Sequence, residues 1–545
     1  MLFGALIAMI NTHSQFVEAI QFGELGQNSN DYIIDIEVGD DRSTYYLGKY
    51  ATDTIDGTPV TTGKLNFSGV PSSQIFIAKY DVNNQQSFIK TFKGTNSEGQ
   101  MTISTSGEIY FAVEYIDTLV VDGQQLTTQF DGFGESSMAM GKFDAAGNLL
   151  WLKNVESKEA VPKDLILHNN KLYVLGLFED RIYFENNLQD FNGGSGYDGF
   201  IVILDPSTGV PSNLKTIDDG YPEFANTHSN ELIISGTFGD FGNNMRDVTF
   251  WDGQTFPVKL DVSNNNGLNP SNGFFMSLDD TLGINFIQHI EGNTQKQDFI
   301  IADNKIILTA NNTDYFKINN DSIDGGKHLL VQLDVSTGNY LSSKECSRHL
   351  GNLDFDENTQ IIYTIIGTGN SSVTYDGINL AGNPKVSVLA TDIQGNIVDT
   401  IFRNGYSTVF ARDIDAHDGK LVIGGGITGS ANLSDTISLG NNLTIDGYNL
   451  FENGWFAVYD ASGSTPSSIK KNNVLDGLIM YPNPTIDNIN FSKNLDVVSI
   501  YDQQGKLILI EKNVSQMNVS DLNQGLYHIY VEKNNHIHMF KMIKK

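Results

Sequence analysis

The sequence predicts an all-β protein, and three observations carry that prediction. The 545 residues include 53 glycines, 22 tyrosines and 32 phenylalanines. This composition is typical of short strands and tight turns, because aromatic rings fit a pleated surface and glycine accepts positive φ. One pattern of strands and turns recurs along most of the chain, and a shorter segment of different character follows it. No long stretch has the apolar spacing of an amphipathic helix.

The repeat is marked by an apolar run that ends in aspartate and a short turn, as in GFIVILDPSTG at residues 199–209. Seven such runs occur, 55 to 74 residues apart, and this near-constant spacing indicates an internal repeat. The seven aspartates are Asp81, Asp144, Asp205, Asp279, Asp334, Asp392 and Asp460. Because the residue recurs in every copy, we interpret it as structural, with a carboxylate that accepts the backbone N–H two residues further on.

Each copy has the same neighbours, which predict its local fold. An apolar strand precedes a polar, variable segment, and a further strand follows the aspartate turn. The variable segments often contain Asp-Gly, which favours a tight hairpin turn, at residues 56–57, 122–123, 252–253, 376–377 and 446–447. Four short antiparallel strands in about 60 residues are typical of a propeller blade, whose inner strands are covered on both faces and so read as continuous apolar runs.

The ends of the repeated region predict that it closes into a ring. The seventh copy ends in a poor strand at residues 463–473, and Phe16–Phe22 has the character of the strand that this copy lacks. Placing it there would remove two exposed edges, so we expect a closed seven-bladed β-propeller over residues 15–470. An eight-bladed or open arrangement is the alternative. The copies resemble the β-propeller repeats of secreted bacterial proteins, most closely at Asp144–Trp151, which implies an extracellular setting and no particular reaction.

The N-terminus and the composition predict export. Leu2–Ile10 is apolar and Thr12-His13-Ser14 resembles a cleavage site, so we interpret residues 1–14 as a signal peptide. Its missing basic start indicates a truncated or misassigned beginning. One cysteine, Cys346, permits no intrachain disulfide. The net charge of −31 disfavours nucleic acid and anionic membrane as partners, and no later run reaches the roughly 18 apolar residues of a transmembrane helix.

The segment 478–545, after a linker at 471–477, predicts a small Ig-like β-sandwich of short alternating strands. Its motifs occur in the order found in the type A C-terminal sorting domain of the Bacteroidetes type IX secretion system, which the segment resembles. The residues that carry the resemblance are Tyr481, Pro482, Asn483, Pro484, Tyr501, Asp502, Gly505, Lys506, Asp521, Leu522, Gly525, Tyr527, Lys541, Lys544 and Lys545. The resemblance implies passage through the periplasm, recognition by the type IX machinery, and release or attachment at the outer cell surface. A generic Ig-like accessory domain is the alternative.

No residue pattern assigns a reaction. The sequence contains no HExxH, P-loop or dinucleotide-binding pattern, and Gly194-Ser195-Gly196 lacks the spacing of a nucleophile elbow. Oxygen-rich stretches at Asp354–Asn358 and Asn319–Gly326 leave calcium as an alternative. The first of them occupies a turn that has few acids in the other copies, so we interpret it as a turn. We therefore predict no catalytic residue, no metal ligand and no cofactor.

The remaining hypothesis is an exported binding protein. A propeller presents polar loops around a central channel, so an extracellular glycan or protein ligand is expected. The alternative is a secreted hydrolase or lyase that acts on polysaccharide through non-repeated acids at the channel, and a structural role in the surface layer is a third hypothesis. The sequence favours binding over catalysis but identifies no ligand.

Overall fold

The computed structural model describes the chain over the ranges 15–22, 31–50, 74–128, 136–184, 189–191, 196–238, 247–257, 272–291, 298–311, 315–318, 321–324, 328–367, 372–381, 384–404, 408–428, 435–440, 443–447, 453–460, 480–482, 485–501, 507–520, 522–533 and 536–545. The chain divides into two compact units. One is Gln15–Asp460, and the other comprises Met1–Ser14 and Ala461–Lys545. The predicted signal peptide at 1–14 and linker at 471–477 lie outside the described residues.

The Gln15–Asp460 unit is built from antiparallel meanders, each of four strands in which every strand is hydrogen-bonded to the next. Its first strand is β1 (Gln15–Phe22). The first meander then consists of β2 (Tyr32–Val38), β3 (Thr44–Tyr50), β4 (Gln74–Tyr80) and the first part of β5 (Gln86–Ile103). The second part of β5 begins the second meander, which continues with β6 (Ile109–Val121), its hairpin partner β7 (Gln124–Thr127), β8 (Ser137–Phe143) and the first part of β9 (Leu149–His168).

The third and fourth meanders repeat this order. The second part of β9 begins the third meander, followed by β10 (Lys171–Tyr183), its partner β11 (Gln189–Phe191), β12 (Tyr197–Leu204) and β13 (Pro211–Ile217). The fourth contains β14 (Gly220–His228), β15 (Glu231–Phe238), the short hairpin β16 (Val248–Thr249) and β17 (Thr255–Phe256), then β18 (Asn272–Leu278) and β19 (Ile284–Glu291). Long strands such as β5 and β9 therefore serve two successive meanders.

The last three meanders follow the same plan. The fifth contains β20 (Phe299–Ala302), β21 (Lys305–Asn311), the hairpin β22 (Tyr315–Ile318) and β23 (Asp321–Asp324), β24 (His328–Asp334) and β25 (Tyr340–Cys346). The sixth contains β26 (Leu350–Asp356), β27 (Ile361–Ile366), the hairpin β28 (Val373–Tyr375) and β29 (Ile378–Ala381), β30 (Pro384–Thr391) and β31 (Ile397–Asn404). The seventh contains β32 (Thr408–His417), β33 (Lys420–Thr428), the hairpin β34 (Asp435–Gly440) and β35 (Leu443–Gly447), and β36 (Asn453–Asp460).

The fourth strand of the seventh meander comes from the other end of the unit. β1 pairs antiparallel with β36, from Gln15 opposite Asp460 to Phe22 opposite Gly454. This is the position that the sequence analysis expected for Phe16–Phe22. The first and last strands of the unit therefore share one sheet.

Apolar side chains fill the space between successive meanders. All seven residues of β8 and all seven of β18 are buried, as the continuous apolar runs predict for strands that are covered on both faces. The seventh meander packs on the first in the same way. Tyr46 stacks on Phe456 with ring centroids 3.8 Å apart, and Ile33, Phe76 and Val422 belong to the same buried cluster.

The Asp-Gly pairs of the variable segments do not all form turns. Residues 122–123, 252–253 and 376–377 form the turns of the β6–β7, β16–β17 and β28–β29 hairpins. The prediction of a turn at Asp446-Gly447 is wrong. That pair lies in β35, opposite β34, because the hairpin already turns between Gly440 and Leu443, which are paired with each other. The pair at 56–57 lies outside the described residues.

The described part of the C-terminal unit is a small sheet of five strands. They are β37 (Met480–Tyr481), β38 (Asn488–Tyr501), β39 (Leu507–Asn518), β40 (Gly525–Lys533) and β41 (His536–Lys544). β38 pairs with β37, β39 and β40, and β40 pairs with β41. The unit has an apolar core of its own, which includes Ile489, Val498 and Ile529.

Candidate functional site

The first strands of the seven meanders surround one cavity. In chain order these inner strands are β2, the second part of β5, the second part of β9, β14, β20, β26 and β32. Each contacts the next, and β32 contacts β2. All seven contribute residues to the wall of a cavity of about 450 Å³. An inner strand is the edge of its own sheet, so its free backbone N–H groups need acceptors from elsewhere.

Four aspartates supply those acceptors across the boundaries between meanders. They lie at equivalent positions of the inner strands and are Asp35, Asp164, Asp298 and Asp413. Each Oδ2 accepts a backbone N–H from the next inner strand around the cavity. In the same order, the donors and the N···O distances are Met101 at 2.7 Å, Ala225 at 2.6 Å, Leu353 at 2.9 Å and Ile36 at 2.6 Å.

The equivalent N–H groups of the third, fifth and seventh inner strands remain. Each of these strands comes after an inner strand that lacks the aspartate. The second, fourth and sixth inner strands carry Gln100, Phe224 and Asn352 at this position. In the strand that follows each of these three, the equivalent backbone N–H instead donates to the aspartate one residue before it in the chain. These bonds join Leu165 to Asp164 (2.7 Å), Phe299 to Asp298 (2.8 Å) and Ile414 to Asp413. Four carboxyl groups therefore satisfy the equivalent N–H group of all seven inner strands.

Further acids lie one strand position deeper. Glu37 and Asp415 follow Asp35 and Asp413 by two residues, and Asp354 follows the equivalent Asn352 by two, as alternation along a strand requires. The N–H of Ala416 donates to Oδ2 of Asp354 (2.7 Å), and the N–H of Val38 donates to Oδ2 of Asp415. The side chains of Asp354 and Asp415 are also hydrogen-bonded to each other.

Burial makes these acids hard to ionise, because the charged form loses its hydration. Burial raises the pKa of Asp164 to about 7 and that of Asp413 to about 6. It also holds the pKa values of Asp35, Glu37, Asp298 and Asp415 well above their ordinary range, and the pKa of Asp354 is raised as well. Negative neighbours add to this effect. The charge of Asp413, for example, raises the pKa of Asp35 further.

The remainder of the wall is not equivalent around the ring. Glu98 and Glu223 bring the carboxyl groups of the described lining to nine, beside two cations, Lys163 and Arg412. The guanidinium carbon of Arg412 lies 4.0 Å from the centroid of the Tyr32 ring. Phe224 brings an aromatic side chain to a position where the other inner strands carry aspartate or an amide. The cavity therefore combines many hydrogen-bond acceptors with the aromatic residues Tyr32, Phe224 and Phe299.

The repeated turn aspartates lie outside this cavity. In six copies, Oδ1 accepts the backbone N–H two residues further on. The donors are Asn83 at 2.9 Å, Ala146 at 3.0 Å, Ser207 at 2.7 Å, Thr281 at 2.8 Å, Ser336 at 3.2 Å and Gln394 at 3.0 Å. Asp460 is the last residue of β36, and its side chain is outside the described part. The hydroxyl and N–H of Ser207 hold the pKa of Asp205 below its usual value, which is opposite to the shift of the cavity acids.

The sequence predicts none of the cavity acids. The interpretation of Asp354–Asn358 as a turn is wrong for Asp354, which lies in β26 at the cavity, and only the residues after Asp356 form the turn. Oδ2 of Asp356 accepts the N–H of Gly419 from the next meander (2.6 Å). Within the described ranges no three acidic, histidine or cysteine side chains are placed to hold a metal ion. Part of the second calcium candidate, including residues 319–320 and 325–326, lies outside those ranges.

The structure places the sorting-motif residues along the C-terminal sheet. Tyr481 ends β37 and is 52% exposed. Leu522 packs against the core of the unit, and the hydroxyl of Tyr527 donates to the carbonyl of Asn523 (2.9 Å). Pro482 follows β37, Tyr501 ends β38, Gly525 begins β40, and Lys541 and Lys544 lie in β41 just before Lys545. The motif residues outside the described part are Asn483, Pro484, Asp502, Gly505, Lys506 and Asp521.

The fold and the cavity define an all-β protein whose inner strands surround an acidic centre. Its C-terminal segment identifies the route by which it is exported. Residues 479–545 match a family described as the secretion system C-terminal sorting domain. The chain is therefore a secreted, Bacteroidetes-type protein that depends on the type IX system. It passes through the periplasm to the medium or the outer surface and interacts with the type IX machinery. The predicted sorting domain and localisation are confirmed.

Solved structures similar to this chain include propellers. The β-propeller domain of the Trilobed protease from Pyrococcus furiosus is 10% identical, with 78% of this chain and 98% of that chain covered and a TM-score of 0.39. An acylaminoacyl peptidase from Pyrococcus horikoshii is 11% identical, with 85% and 57% covered and a TM-score of 0.36. A Trypanosoma rangeli sialidase is 9% identical, with 97% and 87% covered and a TM-score of 0.30. At these scores none of them bears on the activity of this chain.

No curated protein is similar enough in sequence to count as a relative. In the part of the chain that the structure describes, no helix has the length and apolar character needed to cross a membrane.

Proposed function

We propose that residues 15–470 form a closed seven-bladed propeller and that this propeller is the binding part of an exported protein. Three observations support the closure: the inner strands contact one another in sequence, the last contacts the first, and β1 completes the sheet of β36. We further propose the division expected from the sequence. Residues 1–14 are the signal peptide, 471–477 the linker and 478–545 the sorting domain.

The wall of the central cavity is the observation that carries the binding function. Its volume of about 450 Å³ suits a small ligand or a projecting part of a larger one. The wall offers carboxyl and amide oxygens, which accept hydrogen bonds from hydroxyl groups, and the aromatic ring of Phe224, against which an apolar face can pack. We therefore propose an extracellular ligand rich in hydroxyl donors, and a glycan is the class that fits best. A protein ligand is an outcome that the test below distinguishes.

The test compares two variants of the full chain on a glycan array and in a pull-down from the cell surface. Phe224→Ala removes one of the three aromatic residues of the wall and leaves in place every aspartate that holds an inner strand. Because Phe224 also packs against the buried cluster that includes Ile233 and Phe275, the variant is first shown to be folded by tryptophan fluorescence. Leu150→Ala is the control, because Leu150 is 51% exposed and lies in β9 outside the described cavity lining. We expect glycan binding by the wild type and by Leu150→Ala, weakened at least tenfold in Phe224→Ala. Capture of a protein alone would redirect the proposal to a protein ligand, and no binding in either assay would refute it.

A hydrolase that acts on polysaccharide is the second candidate, because the cavity contains paired carboxyl groups. Asp35 is hydrogen-bonded to Asp413, and Asp354 to Asp415. Acid–base hydrolysis of a glycosidic bond uses two carboxyl groups, but these stand about 5 Å or more apart to admit the substrate. Two carboxyl groups that are hydrogen-bonded to each other, and whose oxygens already accept backbone N–H groups, fit glycoside hydrolysis less well. Release of reducing ends from a polysaccharide panel, abolished by Asp413→Asn, would favour the hydrolase over binding alone.

A further inference from the structure

The inner strands bring more carboxyl groups together than the two nearby cations can neutralise. The charged and titratable groups that face the cavity are, by strand, Asp35 and Glu37 on β2, Glu98 on β5, Lys163 and Asp164 on β9, Glu223 on β14, Asp298 before β20, Asp354 on β26, and Arg412, Asp413 and Asp415 on β32. Arg412 lies over the Tyr32 ring. The strands need the six aspartates of this group as acceptors for their N–H groups, so these aspartates cannot move apart without breaking the ring.

We propose that the inner ring closes with bound protons, one shared between Asp35 and Asp413 and one between Asp354 and Asp415, so that closure weakens as the pH rises. In the first pair Asp35 holds the proton and donates it towards Asp413, while Oδ2 of Asp35 still accepts the N–H of Met101 (2.7 Å). In the second pair Asp415 donates to Asp354. A shared proton joins two acids that would otherwise repel each other across a boundary between meanders. This inference rests on the proposed closure of the ring but not on the proposed ligand.

The direction of the pH effect follows from linkage. The folded pKa of Asp35 lies well above its ordinary value near 4, so the folded ring binds a proton that the unfolded chain releases. The resulting stability is fully present below the unfolded pKa and is lost as the pH rises through the folded pKa. Between these limits, the ratio of folded to unfolded protein falls about tenfold for each unit by which the pH rises, for every proton taken up on folding.

The substitution Asp35→Asn tests this directly. An asparagine keeps an oxygen for the N–H of Met101, and its amide group replaces the shared proton as a permanent donor to Asp413. We expect the folding equilibrium of the full-length variant to depend less steeply on pH than that of the wild type above pH 5, by up to one proton. The readout is urea unfolding followed by tryptophan fluorescence. Trp151, Trp251 and Trp455 all lie in the Gln15–Asp460 unit, so the signal reports that unit alone.

The control is the same substitution at a turn, Asp144→Asn. The side chain and N–H of Asn148 hold the pKa of Asp144 below its usual value, so this carboxyl titrates below the pH window and the slope should equal that of the wild type. Burial lowers the pKa values of His168 and His328. Their opposite contribution to the slope is common to all three proteins and cancels in the comparison.

Two results would overturn the inference. One is a slope for Asp35→Asn equal to that of the wild type. The other is a loss of stability in that variant that grows as the pH rises, which would show that Asp35 acts as a carboxylate. If Asp35→Asn does not fold, Asp415→Asn decides by the same criterion, since its amide would replace the proton donated to Asp354.

Discussion

Replacing Gly209 with alanine should destabilise the Gln15–Asp460 unit by about 2–4 kcal/mol, the sum of a backbone and a packing effect. Gly209 closes the Asp205 turn with a φ of 70°, a conformation in which alanine costs about 1 kcal/mol. A Cβ at this residue would lie 2.7 Å from Cε3 of Trp151. Trp151 belongs to the preceding meander, is only 8% exposed, and donates from Nε1 to the carbonyl of Pro206 (3.3 Å). Its ring is confined, and overpacking a confined site costs about 1–3 kcal/mol.

A matched variant separates the two effects. Gly253 has a φ of 87°, and a Cβ there would meet no atom within 4 Å, so Gly253→Ala should show the backbone effect alone, about 1 kcal/mol. The assay is urea unfolding followed by tryptophan fluorescence, with the free energy of unfolding taken from the midpoint and the slope. Equal losses in the two variants would refute the reasoning, because they would mean that the turn of the third meander does not pack on Trp151.

Two further predictions concern the turn and the closure of the ring. Asp205→Ala removes the acceptor of the Ser207 N–H and should lower the free energy of unfolding by roughly 1 kcal/mol, with ligand binding unchanged; a folded variant that no longer binds would contradict a structural role. Phe456→Ala removes the ring that stacks on Tyr46 between the seventh and first meanders and should cost about 3–5 kcal/mol in the same urea assay. A loss below about 1 kcal/mol, the size expected at an exposed site, would mean that this boundary does not hold the unit together.

The all-β fold and the repeat could be predicted from the sequence because their signals are local. An apolar run, an aspartate and a turn lie within about ten residues, and the carboxylate of Asp205 bonds to groups only two and three positions away. The same holds for the sorting domain, whose motifs follow one another along a single short segment. Patterns of this kind can be recognised without knowing which strands become neighbours.

The cavity could not be predicted because the hydrogen bonds that form its wall join different copies of the repeat. Asp164 accepts the N–H of Ala225, 61 positions later, and Asp413 accepts that of Ile36, 377 positions earlier. The equivalent position also changes, with Gln100, Phe224 or Asn352 in three of the seven inner strands, so it does not stand out as a repeat. Asp354 was interpreted as part of a turn for the same reason. Aligning the seven inner strands by their hairpins would have revealed the shared position.

The pairing of β1 with β36 also has a consequence for the order of events during export. Gln15 and Asp460 are opposite each other in the sheet but 445 positions apart in the chain. Contacts between such distant residues form slowly, because the entropy of closing the intervening loop must be overcome first. If the proposed signal peptide starts export from the N-terminus, β1 enters the periplasm well before its partner strand arrives. The last sheet can be completed only when nearly the whole unit has crossed, which delays final folding until translocation is almost finished.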